Sequence, residues 1–311
     1  MGRYVMGRLL QLVPVLILVS LIVFAVMRLL PGDPALLMLS GAEGGAITPD
    51  RLNELREQMG LNEPVTTQYL SFVAGAVQGD LGSSIRFQVP VVDLILDRFG
   101  STLELAVAGL FLAIAIGMPL GMIAAARQGG WIDTLCMILS YIGSSMPVYW
   151  LGLLLVLLFS FTLRWLPSAG GGSFEALILP AFTLGLLSAG VLARLIRSSM
   201  LEVATEDYMR TARAKGLYPR LIIIRHGLKN AMIPVLTMMG LQFGALLAGT
   251  VVTETVFSRP GLGRLIVDSI LAKDYPLVQG SILFLAVVYL LVNLAVDIAY
   301  AWLDPRIRYG S

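Results

Sequence analysis

Long apolar runs separated by short polar interruptions set the pattern of this chain, and the runs have the length of a bilayer rather than of a soluble core. A membrane-crossing helix needs about 20 predominantly apolar residues. Residues 9–30 make the first such run, broken only by Gln11, Pro14, Ser20 and the late Arg28. Residues 102–126 make the second, with Glu104 at its start. The third, 132–163, is longer than one crossing, so it must tilt, kink or overhang. Ser144, Ser145 and Pro147 interrupt it, and a proline kink accounts for the interruption. Residues 177–196, 231–257 and 279–303 complete the set. The expected fold is an all-α membrane protein with about six transmembrane helices.

The polar stretches carry local signals of their own. Pro31-Gly32-Asp33-Pro34 stops the first helix, because proline lacks an amide donor and restricts the residue before it. Thr48 is placed as an N-cap, with Pro49 at the first helical position and Asp50 and Arg51 in the first turn. Leu52, Leu55 and Met59 follow at helical spacing and Gly60 ends the helix. A second short helix is expected over 65–77. The chain thus divides into a first span (1–30), a loop with short helices (31–101) and a five-span core (102–311). The loop is either a cap that braces the bundle or a docking platform for a soluble partner.

A second polar segment, 198–230, lies inside the core. Thr205 is placed to cap a helix whose first turn holds Glu206 and Asp207, both favourable at the positive end of a helix dipole. Glu206 and Arg210 stand four apart, an orientation that adds a few tenths of a kcal/mol. Arg210, Arg213 and Lys215 fall late, Gly216 suits a left-handed stop, and Pro219 blocks continuation. The expected product is a helix of about three turns with Tyr208 and Ala212 on one face and Met209 beside Ala212. So short a helix needs a surface to pack on. A lipid-headgroup loop would be the alternative.

Charge gives orientation, since cytoplasmic loops retain Lys and Arg. Arg3 and Arg8, Arg127, the 194–229 segment with eight basic residues against three acidic, and Arg306 with Arg308 all fall on one side of a six-span chain. The opposite side receives 31–101, with nine acidic residues and four basic. Both termini are therefore expected in the cytoplasm. The first run is too long for a secretory signal, and Met27-Arg28-Leu29-Leu30 offers no small-residue cleavage site, so it stays as a span.

Composition narrows the chemistry. Of 311 residues, 57% are apolar and 14% charged, well under the quarter usual in soluble domains, so lipid is the main solvent. A net charge of +2 gives nucleic acid no footing. Single Cys136 and single His226 provide neither an internal disulfide nor a zinc cluster. The phosphate-loop pattern Gly-x-x-x-x-Gly-Lys-Ser/Thr is missing. Gly170-Gly171-Gly172-Ser173 lacks its lysine and reads as a flexible connector. No nucleotide is bound by this chain, and energy for transport would have to enter from separate subunits.

In the fifth run Gly240, Gly244 and Ala248 recur every four residues, a spacing that brings helices close. Gln242, Thr250, Thr253 and Glu254 on the same helix could line a polar path. Glu254 is either a functional intramembrane acid or an interfacial residue reaching water.

Arg210-Thr211-Ala212-Arg213-Ala214-Lys215-Gly216, followed by Lys229-Asn230-Ala231-Met232-Ile233-Pro234, resembles the coupling loop of binding-protein-dependent ABC importer permeases. Gly79-Asp80-Leu81-Gly82-Ser83-Ser84, Phe257-Ser258-Arg259-Pro260-Gly261-Leu262-Gly263 and Asp304-Pro305-Arg306-Ile307-Arg308 extend the likeness nearly end to end. More narrowly, it resembles the first permease subunit of the dipeptide, oligopeptide and nickel group, and Met238-Met239-Gly240-Leu241-Gln242-Phe243-Gly244 is similar to glutathione-type members. The general loop motif opens with Glu-Ala-Ala where this chain has Arg210-Thr211-Ala212.

The resemblance implies a multi-pass bacterial inner-membrane subunit that breaks no bond itself. It implies a second permease, two ATPase subunits that hold ATP and Mg, and an extracytoplasmic binding protein. The ATPases would be contacted through Glu206, Asp207, Tyr208, Arg210, Thr211, Ala212, Arg213, Ala214, Lys215 and Gly216. Two rivals are an ion-driven secondary transporter, which would need ionisable groups near the midplane, and a non-transporting scaffold. An intramembrane serine protease fails because His226, the one available base, lies in the cytoplasmic segment.

Overall fold

In a computed structural model, the structure describes residues 2–29, 35–36, 39, 48–58, 60–216 and 227–303. Among these the chain is all-helical: α1 Gly2–Leu29, α2 Pro49–Gln58, α3 Val65–Val77, α4 Val91–Ala126, α5 Trp131–Ser145, α6 Val148–Leu155, α7 Phe174–Ala204, α8 Asp207–Ala214, α9 Leu228–Val256, α10 Leu262–Leu271 and α11 Tyr275–Leu303. Five of them (α1, α4, α7, α9 and α11) are long and apolar enough to cross a membrane. The expected stop at 31–34, the spacing partner Met59 and the terminal 304–308 motif lie outside the described residues.

The third expected span is the main departure. It is two helices, α5 and α6, bent by 104° at Met146 and Pro147. Proline forces the residue before it out of helical geometry, and Met146 and Pro147 are both extended, at ψ 135 and 136. At 1.5 Å per residue α5 reaches only about 22 Å, short of the ~30 Å hydrocarbon core. Among the described residues there are therefore five candidate spans, or six if the bent pair serves as one. Beyond α6 the helix widens into a π-helical run, Val156–Thr162, where the Leu163 amide donates to the Leu158 carbonyl.

By compactness the chain forms two units, one of residues 1–100 with 261–291, the other of 101–260 with 292–311. In the second, α7 is the central element: 72% of its most apolar stretch is buried, against 28% for α4 and 33% for α9. Helices in lipid gain little from apolarity alone and associate through close packing. Gly190 shows how close: a Cβ there would stand 2.2 Å from the Ser140 carbonyl oxygen of α5. On α9, Gly240 plays the same part against Val296 of α11, where a Cβ would meet methyl carbons at 2.3 Å. Ala113, Leu192, Ile196, Ala231 and Val235 form one apolar layer between α4, α7 and α9, and Leu105, Ala181, Leu184 and Leu246 form another.

The first unit packs α10 and the start of α11 on the start of α4. Val91 and Ile95 share a core with Leu262, Leu265, Ile266 and Leu277. Helix α4 thus begins well ahead of the expected residue 102. Asp93, Asp97 and Arg98 interrupt the apolar run, yet Val91 and Ile95 are buried and Phe99, four residues on, packs half-buried against their core. Asp274 opens α11 by accepting the Leu277 amide at 3.3 Å, and its other oxygen takes the Ser84 hydroxyl at 2.5 Å and the Arg86 amide at 3.1 Å. Helix α3 has the expected limits. Helix α2 ends in a left-handed Gly60, whose amide reaches Glu57 while that of Leu61 reaches Arg56.

Candidate coupling segment and polar ties between helices

Helix α8 is shorter than expected, eight residues or about two turns. Thr205 does not cap it. Its hydroxyl turns back to the Glu202 carbonyl at 2.7 Å, and its backbone closes the last turn of α7. A residue in helical geometry at the end of one helix cannot take the extended conformation an N-cap requires. Glu206 is left between the helices, its carbonyl accepting the Met209 amide at 3.0 Å, and Asp207 is the first helical residue.

Two side chains fasten α8. Met209 is only 2% exposed. The Tyr208 hydroxyl accepts from the Asn230 side-chain amide at 2.8 Å, joining α8 to the first turn of α9. Thr211 donates to the Asp207 carbonyl within the helix, and the Lys215 amide continues to Thr211. Gly216 then takes φ +73, the left-handed stop its position suggested. Glu206, Asp207, Thr211, Ala214, Lys215 and Gly216 remain exposed. Arg210, Ala212 and Arg213 belong to the helical backbone, but their side chains lie outside the described residues, as do Pro219 and His226.

Arg194 and Arg197, counted above among loop charges, belong to α7. Arg197 meets Asp133 of α5 with two bonds, 2.6 and 2.7 Å, and Asp133 also accepts the Gly129 amide at 3.0 Å. Arg194 donates to the Ser140 carbonyl and the Ser144 hydroxyl, and its guanidinium lies 4.8 Å from the Tyr141 ring centre. The signal for the first pair was a lone acid, Asp133, at the head of an apolar run, where a charge persists only if paired.

A second polar tie joins α4 to the end of α9. Thr102 donates to the Glu254 carboxylate at 2.6 Å, and Arg259 donates to Glu104. Glu254 is 0% exposed, so the reading in which it merely reaches interfacial water does not hold. Arg259 is 1% exposed, and its Nε and Nη1 have no hydrogen-bond partners among the described residues. Thr250 and Thr253 are buried and donate to carbonyls of their own helix, while Gln242 is half-buried. A cavity of about 400 Å3 does open beside α9, but Leu236, Thr237, Gly240 and Phe243 line it with Leu110 and Val296, and none of the four candidate path residues does. The Gly170–Gly172 connector is tied down: the Gly170 amide donates to the Phe257 carbonyl at 3.0 Å.

Comparison with known proteins follows the same outline. Residues 117–309 match the family described as binding-protein-dependent transport system inner membrane component, and residues 1–106 match the N-terminal family of the same transport-system membrane components. The glutathione transport system permease protein GsiC of Escherichia coli (strain K12) is 47% identical over 309 residues, covering 99% of this chain and all of that protein. GsiC of Shigella dysenteriae serotype 1 (strain Sd197) matches equally. Among solved structures, an inward-facing conformation of the MetNI methionine ABC transporter superposes with a TM-score of 0.60 at 17% identity, covering 68% of this chain and 96% of that one.

Proposed function

The chain belongs to the binding-protein-dependent transport system inner membrane components, and from that footing we infer an importer for short peptides of the glutathione type, with α8 as the point at which ATP hydrolysis is felt. It is a permease subunit of an ABC importer and not itself an enzyme. The observation that carries the substrate class is the 47% identity to GsiC along the full chain. The ion-driven and scaffold readings find no support among these relatives.

In this reading α8 and its exposed flanks, with Glu206, Asp207, Thr211, Ala214, Lys215 and Gly216, seat in a groove of an ATPase subunit on the cytoplasmic side. Tyr208 ties the helix to α9 through Asn230, and Met209 is buried. A second permease completes the path, two ATPase chains bind ATP and Mg, and a soluble binding protein delivers the peptide to the outer side. There α2 and α3 form a folded outer segment, and both termini lie in the cytoplasm. The buried Thr250, Thr253 and Glu254 fix α9 rather than touch the solute, which leaves Gln242 as the candidate path residue of the four.

The test is purification of the assembled complex from its native membrane and reconstitution in vesicles. Hydrolysis stimulated by a glutathione-loaded binding protein, with peptide accumulating inside, is the expected result. Recovery of the chain without ATPase subunits would overturn the coupling role. Stimulation by a non-peptide solute alone would overturn the substrate class.

A further inference from the structure

The first unit holds a second cavity, of about 370 Å3, that the transport reading leaves unused. Small-molecule sites run from roughly 300 to 1,000 Å3, so it is large enough for a ligand. Phe24 and Arg28 from the last turns of α1, Glu63 from the turn before α3, Gln68 and Phe72 from α3, and Gln279 from α11 line it. The Arg28 guanidinium lies 5.2 Å from the Phe24 ring centre, and its Nε has no hydrogen-bond partner among the described residues. Gln68 spends its amide nitrogen on the carbonyls of Leu61 and Glu63, at 3.2 and 2.7 Å, and its amide oxygen finds no donor among the described residues. The two side chains that carry these buried, unpaired atoms therefore both line one cavity. Buried polar groups are seldom left so, and a molecule carrying an anion and an ammonium a few atoms apart would satisfy both.

Two sources offer that pair, a zwitterionic phospholipid and a short peptide. Location favours the first. Arg28 ends an apolar stretch, Met6–Leu29, long enough to cross a bilayer, and Leu10, Ile17, Leu18, Leu21 and Ile22 along it are exposed. A guanidinium in the last turn of a lipid-facing span stands at the depth of the headgroups. We propose that this cavity is a binding site for the headgroup of a zwitterionic phospholipid such as phosphatidylethanolamine. Arg28 takes the phosphodiester, the Glu63 carboxylate and the Gln68 carbonyl take the ammonium, and Phe24 and Phe72 pack beside the glycerol end. Arginine suits this role because its planar fork matches phosphate oxygens in pairs.

Native mass spectrometry of the full chain, released from bilayers of phosphatidylethanolamine and phosphatidylglycerol in equal amounts, tests the site without relying on transport. Wild type is expected to retain one phosphatidylethanolamine. Arg28→Gln is expected to lower retention roughly tenfold or more, the usual worth of a hydrogen bond to a charged group. Glu63→Gln should keep a lipid but shift it toward phosphatidylglycerol, because the phosphate keeps its partner while the ammonium loses one. Wild type without retained lipid, or Arg28→Gln with wild-type retention, would overturn the proposal. So would glutathione binding at this cavity in delipidated chain with equal loss in Arg28→Gln, which would mark a solute subsite. If Arg28→Gln fails to assemble, the wild-type preference and its reversal in Glu63→Gln decide the matter.

Discussion

Arg197 and Asp133 face each other across α7 and α5 with both guanidinium bonds made, and Asp133 spends a third contact on the Gly129 amide. Removing two charges from water is costly, and their attraction offsets that cost only when the geometry is good. Taking away one partner is the severe change, since it strands the other. Asp133→Ala is expected to destabilise the chain by about 3 kcal/mol, the low end for orphaning a buried partner. The low end applies because the Arg197 side chain keeps 28% exposure. Thermal unfolding in detergent would measure it, and adding Arg197→Met should recover most of the loss. A double variant as unstable as the single would mean that packing, not the orphaned charge, sets the cost. Arg259 is the sterner case, a guanidinium enclosed by the chain whose carboxylate partner, Glu104, has a side chain 56% exposed.

At the scale of elements, α8 depends on how it ends. Gly216 holds φ +73, whereas proline is confined near −65°. Gly216→Pro should abolish peptide-stimulated ATP hydrolysis in the assembled complex while the melting temperature of the spans stays within a few degrees of wild type. Retained stimulation would remove α8 from the coupling role. The position of this helix was readable from its polar character between apolar runs, but its first residue was not. Thr205 resembles an N-cap in sequence, and only the α7 turn it closes shows otherwise. Helices α1, α7, α9 and α11 were legible because apolar runs of bilayer length have few other readings. The start of α4 was hidden because Asp93, Asp97 and Arg98 break the run without breaking the face. Helix α10, which buries Leu262, Leu265, Ile266 and Ser269, was not among the expected elements. Pro147 signalled the kink that the structure shows as a 104° bend, whereas the Asp133–Arg197 pair joins α5 to α7 across a distance in sequence that no local spacing records.

At the scale of the whole molecule, the first unit is assembled from two stretches, 1–100 and 261–291. Its core needs both, because Val91 and Ile95 from the first pack on Leu262, Leu265, Ile266 and Leu277 from the second, and Asp274 from the second holds Ser84 and Arg86. A chain ended after residue 260 should therefore be cut by protease within 81–100, where the full chain resists. Equal resistance would mean that the early stretch folds without its complement. This discontinuity also sets a timetable for synthesis. Residues 101–260 must be made before the missing half of the core emerges, and at ~5–20 residues per second that is roughly 8 to 32 s. Throughout that interval α1 and α3 can already meet through Ser20 and Tyr69, but the part of the core supplied by residues 261–291 does not yet exist. The newborn chain thus passes through a stage in which Val91, Ile95 and the Ser84 hydroxyl stand open to whatever chaperone, lipid or protease reaches them first.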